Sequence, residues 1–305
     1  MTDPTYGERW QRVQAPRTGD IRRELTLEAA EYLGLTAAEA RKRVEESGAD
    51  FYREWQRFVT DPSDAAQVVR FYNESRSELF EQIAWHASDV IHHRSPVCAE
   101  LALSLRGREF LDYGSGIGSN ALVFGLAGFD VTLADVADPL RQFARWRCER
   151  RGIRVREMDL KQQSIEPNRY DVITCFDVLE HVPDPLAAVR RIRDSLRPGG
   201  VLFLYAPFGF DPERPMHVVH RDAVSPRIRS LGFALKHDWE RAFPDYVYAP
   251  NPYERVVRSP FVNGAYFVRD VWLNGHVGDL MSRALRRIGA RARPGPASHR
   301  VGLGA

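Results

Sequence analysis

Glu109-Phe110-Leu111-Asp112-Tyr113-Gly114-Ser115-Gly116-Ile117-Gly118-Ser119 decides how the rest of this 305-residue chain is read. An apolar run ends in a carboxylate, breaks into alternating glycines and resumes with Ala121, Leu122, Phe124 and Leu126 at helical spacing. This order predicts a strand, a tight turn and a helix start. Alternate glycines take φ > 0 without strain and let a ligand come up to the peptide plane.

Two ligand classes use such a turn. A dinucleotide site has G-x-G-x-x-G with a pyrophosphate on the helix N-terminus. Here Ser119 stands at the sixth position, and Asp112 at the strand end disfavours a nearby phosphate while suiting a cation. S-adenosylmethionine carries a sulfonium and an ammonium and no phosphate. The stretch resembles motif I, D-x-G-x-G-x-G, of the class I S-adenosylmethionine-dependent methyltransferases.

Working outward, five strand patterns alternate with helices: Phe110 to Tyr113, Asp130 to Asp135, Val155 to Asp159, Tyr170 to Phe176 and Val201 to Ala206. The clearest helices between them are Ala137 to Arg150 and Leu186 to Leu196, the latter closed by Arg197-Pro198-Gly199-Gly200. The alternation predicts an α/β domain with a parallel sheet covered on both faces. A further strand is expected at Gly264 to Arg269, and Asn251-Pro252-Tyr253 reads as a proline turn.

The first hundred residues are read as all-helical after a loosely ordered start to about residue 20. Patterns run from Thr26 to Val59, with Thr36 capping Ala37 to Glu46, break at Asp61-Pro62-Ser63-Asp64, and resume as one long amphipathic helix from Leu79 to Ile91. His92-His93-Arg94 closes that helix, where positive charge is favoured. Pro96 opens another through Leu105. Beyond the fifth strand, Pro207 to Arg221 is irregular, a helix is expected near Asp222 to Ser230, and Val277 to Ile288 reads as a basic helix before a Pro-Gly tail.

Asp135 ends the second strand about twenty residues after the glycines, where an acid accepts both ribose hydroxyls of a nucleoside lying across the sheet. The run Tyr170-Asp171-Val172-Ile173-Thr174-Cys175-Phe176-Asp177-Val178-Leu179-Glu180-His181-Val182, followed by Pro183-Asp184-Pro185, is similar to the fourth-strand region of the small-molecule branch of the family. That branch includes ubiquinone-biosynthesis O-methyltransferases and natural-product enzymes. The resemblance covers Phe110 to about Ala206 and implies a doubly wound, mostly parallel seven-stranded sheet of Rossmann-like type with a helical N-terminal cap. It implies a cap over residues 1–105, a cofactor domain over 106–275 and a basic helix and flexible tail over 276–305. It further implies that S-adenosyl-L-methionine contacts Asp112, Tyr113, Gly114, Ser115 and Gly116, then Asp135 and Val136, Asp159 and Leu160, and Phe176 and Asp177. Asp159 holds the adenine amino group in that picture, and Tyr72 reaches in from the cap.

Methyl transfer needs two reactants held in line and, for a hydroxyl acceptor, a base. His181, His217 and His220 cluster after strands four and five, and histidine has the pKa for the role. An H-x-x-H with a nearby Glu-His also raises a divalent cation, which lowers an acceptor's pKa by Lewis acidity. Oxygen is the favoured acceptor atom, ahead of nitrogen or carbon.

Composition narrows the partners. Lys and Arg number 43 against 41 Asp and Glu, for a net charge of +2, so no strong field toward nucleic acid or membrane is expected. The D/N-P-P-Y/F loop of nucleic-acid amino-methyltransferases is replaced by Phe176-Asp177-Val178-Leu179. Cys98, Cys148 and Cys175 form no C-x-x-C pair and read as reduced thiols, Cys175 as strand core. With no apolar run of spanning length, a soluble, cytoplasmic protein is expected, acting on a small-molecule acceptor, its oligomeric state open with a homodimer among the choices. A nicotinamide-dependent dehydrogenase and a catalytically inactive cofactor-binding module are the rival readings.

Overall fold

A computed structural model describes residues 4–88, 91–208, 216–218, 224, 226–236 and 250–273. Five parallel strands lie at its centre: β1 (Glu109–Tyr113), β2 (Asp130–Asp135), β3 (Val155–Asp159), β4 (Tyr170–Phe176) and β5 (Leu196–Tyr205). Two antiparallel strands, β6 (Phe233–Leu235) and β7 (Asn251–Arg255), complete a seven-stranded sheet in the order β3-β2-β1-β4-β5-β7-β6. β1 pairs with β2 on one side and β4 on the other. The strand order therefore reverses at β1, and the crevice beyond its carboxyl end is where open α/β sheets bind ligands.

Side chains alternate across β1 because the strand period is two. Phe110 enters a core with Phe124, Leu133 and Phe143 that continues into the N-terminal helices through Trp10, Leu25 and Ile83. Leu111 and Tyr113 enter the opposite core with Ile173, Cys175, Val189 and Ile192. Phe110 stacks on Phe124 at 4.0 Å between ring centroids. The covering helices are α7 (Ser119–Leu126), α8 (Asp138–Arg150) and α9 (Pro185–Ser195). Asp184 accepts from Ala187 N at 2.8 Å and Pro185 takes the first helical position, a sequence-encoded start for α9.

Among the described residues six α-helices precede the sheet: α1 (Pro4–Gln14), α2 (Ile21–Leu33), α3 (Ala37–Phe58), α4 (Ala65–Glu74), α5 (Glu78–His86) and α6 (Arg94–Ala102). Thr36 and Glu39 form a reciprocal capping box at the start of α3. From Pro4 on the chain is not loose: α1 is helical and Trp10 is buried, its ring stacked on those of His86 and His92. Among the described residues α5 ends at His86, short of the long helix expected to reach Ile91. Arg94 accordingly opens α6, buried, instead of closing a helix toward solvent. Phe51, Trp55, Val59, Val68 and Phe71 form a separate small core that Met216 joins from beyond β5.

The C-terminal expectations change most. Asn251-Pro252-Tyr253 is not a turn but the start of β7, with Pro252 opposite Phe203 and its carbonyl accepting from Lys236 N at 2.9 Å. The strand expected at 264–269 is helical instead: α10 (Pro260–Phe267) runs into a π-helical turn over Val268–Leu273. Ser259 caps it, accepting from Val262 N, and Pro260 takes its first turn. Leu196 to Gly200 begins β5, with a register shift against β4 between Tyr170 and Val172 that absorbs the left-handed Gly199. Residues 226–230 form turns where a helix was expected. The basic helix over 277–288 and the tail lie outside the described residues.

Candidate active site

The carboxyl ends of β1, β2 and β4 and the inner faces of α3, α4 and α5 enclose a cavity of about 900 Å³. Tyr113, Gly114, Ser115 and Gly116 line its floor, with Asp135, Val136, Leu160, Phe176 and Asp177 beside them and Tyr72 opposite. The glycine loop is left-handed at Gly114, Gly116 and Gly118. Its crowding comes from the protein itself: a Cβ on Gly114 would lie 2.3 Å from a Val178 methyl, and one on Gly116 would lie 2.2 Å from Gln82 Oε1. The glycines thus let α5 and the post-β4 loop close onto the turn, while Ser115 Oγ, buried, has no hydrogen-bond partner.

Asp135 is buried at the end of β2, where Gly116 N and Ala137 N donate to its two carboxylate oxygens at 2.8 Å each. Burial pushes its carboxyl up, and these backbone donors pull against that. Asp112 and Asp159 behave differently from expectation, since neither lines the cavity. Asp112 lies beneath the loop, its Oδ1 accepting from Thr174 Oγ1 at 2.8 Å and Asn120 Nδ2 at 3.1 Å, and burial pushes it up to about 7. Its Oδ1 faces a hydroxyl and an amide, and its Oδ2 is buried without a hydrogen-bond partner. Asp159 accepts from Lys161 N and pairs with Lys161 Nζ at 3.2 Å, so that Leu160 and Lys161 form this stretch of wall.

Asp177 ends β4 in a left-handed conformation, φ 54, which is strained for a residue with a Cβ. Two cap side chains donate to it: Arg94 Nη1 at 2.9 Å and Trp85 Nε1 at 3.3 Å. Past it, His181 and His217 meet edge to face at 5.0 Å, and Tyr72 stands edge-on to His181 at 6.4 Å. Nδ1 of His181 faces the Met216 carbonyl at 3.2 Å, which fits an Nδ1–H tautomer and makes Nε2 the basic nitrogen. Glu180, His181 and His217 offer ligand atoms that all lie within 4.8 Å of one another, a set able to hold a metal ion. His220 lies outside the described residues.

Several residues in or behind the wall carry no local signal in the sequence. Arg94 is buried with its guanidinium over the rings of Phe176 and Tyr205 at 4.8 and 4.6 Å, and its Nε and Nη2 lack hydrogen-bond partners. Asn73 Nδ2 and Lys161 Nζ both donate to Val136 O, at 2.9 and 2.7 Å. Asn73 Oδ1 accepts in turn from Asp138 N at 3.2 Å. Glu78 opens α5 inside the cavity. The partners of Arg94, Asn73 and Lys161 lie far off in sequence, and only the fold reveals them.

A seven-stranded, mostly parallel sheet with a cavity at its switch point, a left-handed glycine turn and a helical roof defines a Rossmann-like domain. The chain belongs to the methyltransferase domain family, whose model matches residues 78–269. It is 34% identical over 148 residues to the ubiquinone biosynthesis O-methyltransferase of Xanthomonas euvesicatoria pv. vesicatoria, a match covering 44% of this chain and 61% of that protein. It is 39% identical over 107 residues to the ubiquinone biosynthesis O-methyltransferase of Bordetella avium, covering 34% of this chain and 44% of that protein. The chain thus spans about half the length of the curated relatives it matches. Among solved structures it is similar to 1,6-didemethyltoxoflavin-N1-methyltransferase of Burkholderia thailandensis, at 20% identity and a TM-score of 0.49 over 65% of this chain and 92% of that one. Among the described residues no helix is long and apolar enough to cross a membrane.

Proposed function

We propose that this chain transfers a methyl group from S-adenosyl-L-methionine to an oxygen of a small-molecule acceptor by in-line displacement. The cofactor, when bound, supplies an electrophilic methyl on a sulfonium leaving group. Asp135 accepts the ribose hydroxyls, its orientation fixed by Gly116 N and Ala137 N. Val136 and Leu160 flank the purine, while Asp159, turned onto Lys161, does not line the cavity where the adenine amino group would lie. The unpartnered nitrogens of Arg94 and the hydroxyl of Ser115 fit the carboxylate and ammonium of the methionine part. His181 or His217 takes the acceptor proton. We keep the division into a helical cap over residues 1–105, a cofactor domain over 106–275 and a C-terminal segment over 276–305.

The observation that carries this reading is Asp135, a buried carboxylate aimed into a cavity of nucleoside-cofactor size at the sheet's switch point. Calorimetric titration of the purified chain with S-adenosylmethionine, S-adenosylhomocysteine and NAD tests it. Binding of the first two supports the proposal, whereas binding of NAD alone overturns it in favour of a dehydrogenase. Cofactor binding without transfer to any phenol or catechol tried would favour the inactive-module reading. A second reading concerns the histidines: the Glu180, His181 and His217 set favours a divalent cation that orients and acidifies the acceptor. Turnover unchanged after chelation leaves the histidines as bases, and turnover lost and restored by Mg²⁺ or Zn²⁺ assigns them as ligands.

A further inference from the structure

Glu78 is the strongest unexplained group in the cavity. Its residue is 5% exposed, and its Oε1 accepts from Gln82 Nε2 at 2.9 Å. Its Oε2 is buried without a hydrogen-bond partner, and the residue lines the cavity. Gln82 turns its other end onto the glycine loop, where Oε1 accepts from Ile117 N at 3.3 Å. The carboxyl is therefore fixed against the floor of the site.

The charges around it are of its own sign. Asp135 on β2, Glu81 on α5 and Glu54 on α3 add to burial, which together hold the Glu78 carboxyl up at about 8. Burial, with the charges of Glu78, Glu180 and Asp135, pushes the Tyr72 phenol on α4 well above its ordinary value. A buried carboxyl with an idle oxygen costs stability and needs a reason to be there. Its place supplies one: Asp135 marks the ribose side, and Tyr72, edge-on to His181, marks the acceptor side. The reacting sulfur of a nucleoside methyl donor has to lie between them.

We propose that Glu78 is the anionic partner of the cofactor's sulfonium, so that the pocket favours the charged methyl donor over the uncharged thioether left after transfer. The inference rests on the methyltransferase reading above. Donor and spent product both carry the ammonium, carboxylate and nucleoside, so comparing them isolates the sulfonium.

Calorimetric titration of S-adenosylmethionine and S-adenosylhomocysteine into the wild type, Glu78→Gln and Glu78→Asp at pH 7.5, each in two buffers of different ionisation enthalpy, provides the test. Glu78→Gln is expected to weaken donor binding about tenfold or more and product binding less than about threefold, since only the donor loses an attractive charge pair. Glu78→Asp keeps most of the wild-type donor-to-product ratio. Donor binding to the wild type releases a proton that Glu78→Gln does not release. A ratio unchanged in Glu78→Gln, or no proton release, overturns the inference while leaving the functional reading standing. Wild-type protein that binds neither ligand overturns both. Should Glu78→Gln melt below the wild type, the Asp variant and the wild-type proton release decide the question.

Discussion

The floor of the cavity and its roof are built by different means. On the floor, Asp135 is held by backbone groups of the same motif, Ala137 N two residues on and Gly116 N nineteen residues back. In the roof and its anchors, the partners are distant in sequence: Asn73 with Val136, Trp85 with Asp177, and Gln14 with Arg147. The floor is a local backbone device into which a nucleoside fits. The roof is a tertiary assembly that decides what else shares the space.

Arg147 joins the two regions and gives the largest expected effect. Fully buried on α8, it donates to Glu28 at 2.8 Å, Gln14 at 2.9 Å and the Ile117 carbonyl at 2.6 Å, tying α1 and α2 to the glycine turn. Arg147→Met leaves Glu28 facing Arg151 alone and is expected to cost about 3–5 kcal/mol in denaturant unfolding. If the roof is only draped over the floor, the cost will be near zero.

Asp112 sharpens the contrast from beneath. Its carboxyl, near 4 in the unfolded chain, is pushed up to about 7 by burial, so the folded state holds a proton the unfolded state has released. That stability is complete below about pH 4 and is lost as the pH rises to about 7. Each tenfold change in proton affinity is worth about 1.36 kcal/mol, which makes the loss of order 4 kcal/mol. Asp112→Asn should remove this component from unfolding profiles between pH 4 and 9, and a slope that persists in the variant would mean that other groups carry it.

Asp135→Asn replaces one acceptor oxygen with a donor facing an N–H. It is expected to weaken nucleoside binding by about 100-fold, from one charged hydrogen-bond set lost, with the cap intact by melting temperature. The smallest effect belongs to Gly116→Ala. Its Cβ would press on Gln82 Oε1, at a backbone φ of 47, for about 1–3 kcal/mol. Pairing it with Gln82→Ala should recover part of that loss in a double-mutant cycle, because the clash is with a roof side chain.

How much of this is legible in the sequence follows the same division. The strands β1 to β5, the acid at the end of β2 and the glycine turn can be read because periodicity and turn chemistry are local. The first helix is missed because its seating is tertiary: Trp10 packs on His86 and His92, and buried Gln14 bonds Ser119 and Arg147. Pro252 hides a strand whose carbonyl still pairs with Lys236, and the apolar run Ala265, Phe267 and Val268 imitates strand alternation on a helix with no buried face. Asp112 and Asp159 stand at strand ends like Asp135, yet their side chains turn to Asn120 and Thr174 and to Lys161. Arg94 and Glu78 look like ordinary helix charges until the fold buries them against the cavity.

A co-crystal structure with S-adenosylhomocysteine tests the central claim most directly. The ribose hydroxyls are expected on Asp135, the amino-acid end at Ser115 and Arg94, and the sulfur between Glu78 and Tyr72 facing His181. A ligand that leaves Asp135 without a ribose contact, or that lies outside this cavity, would contradict it.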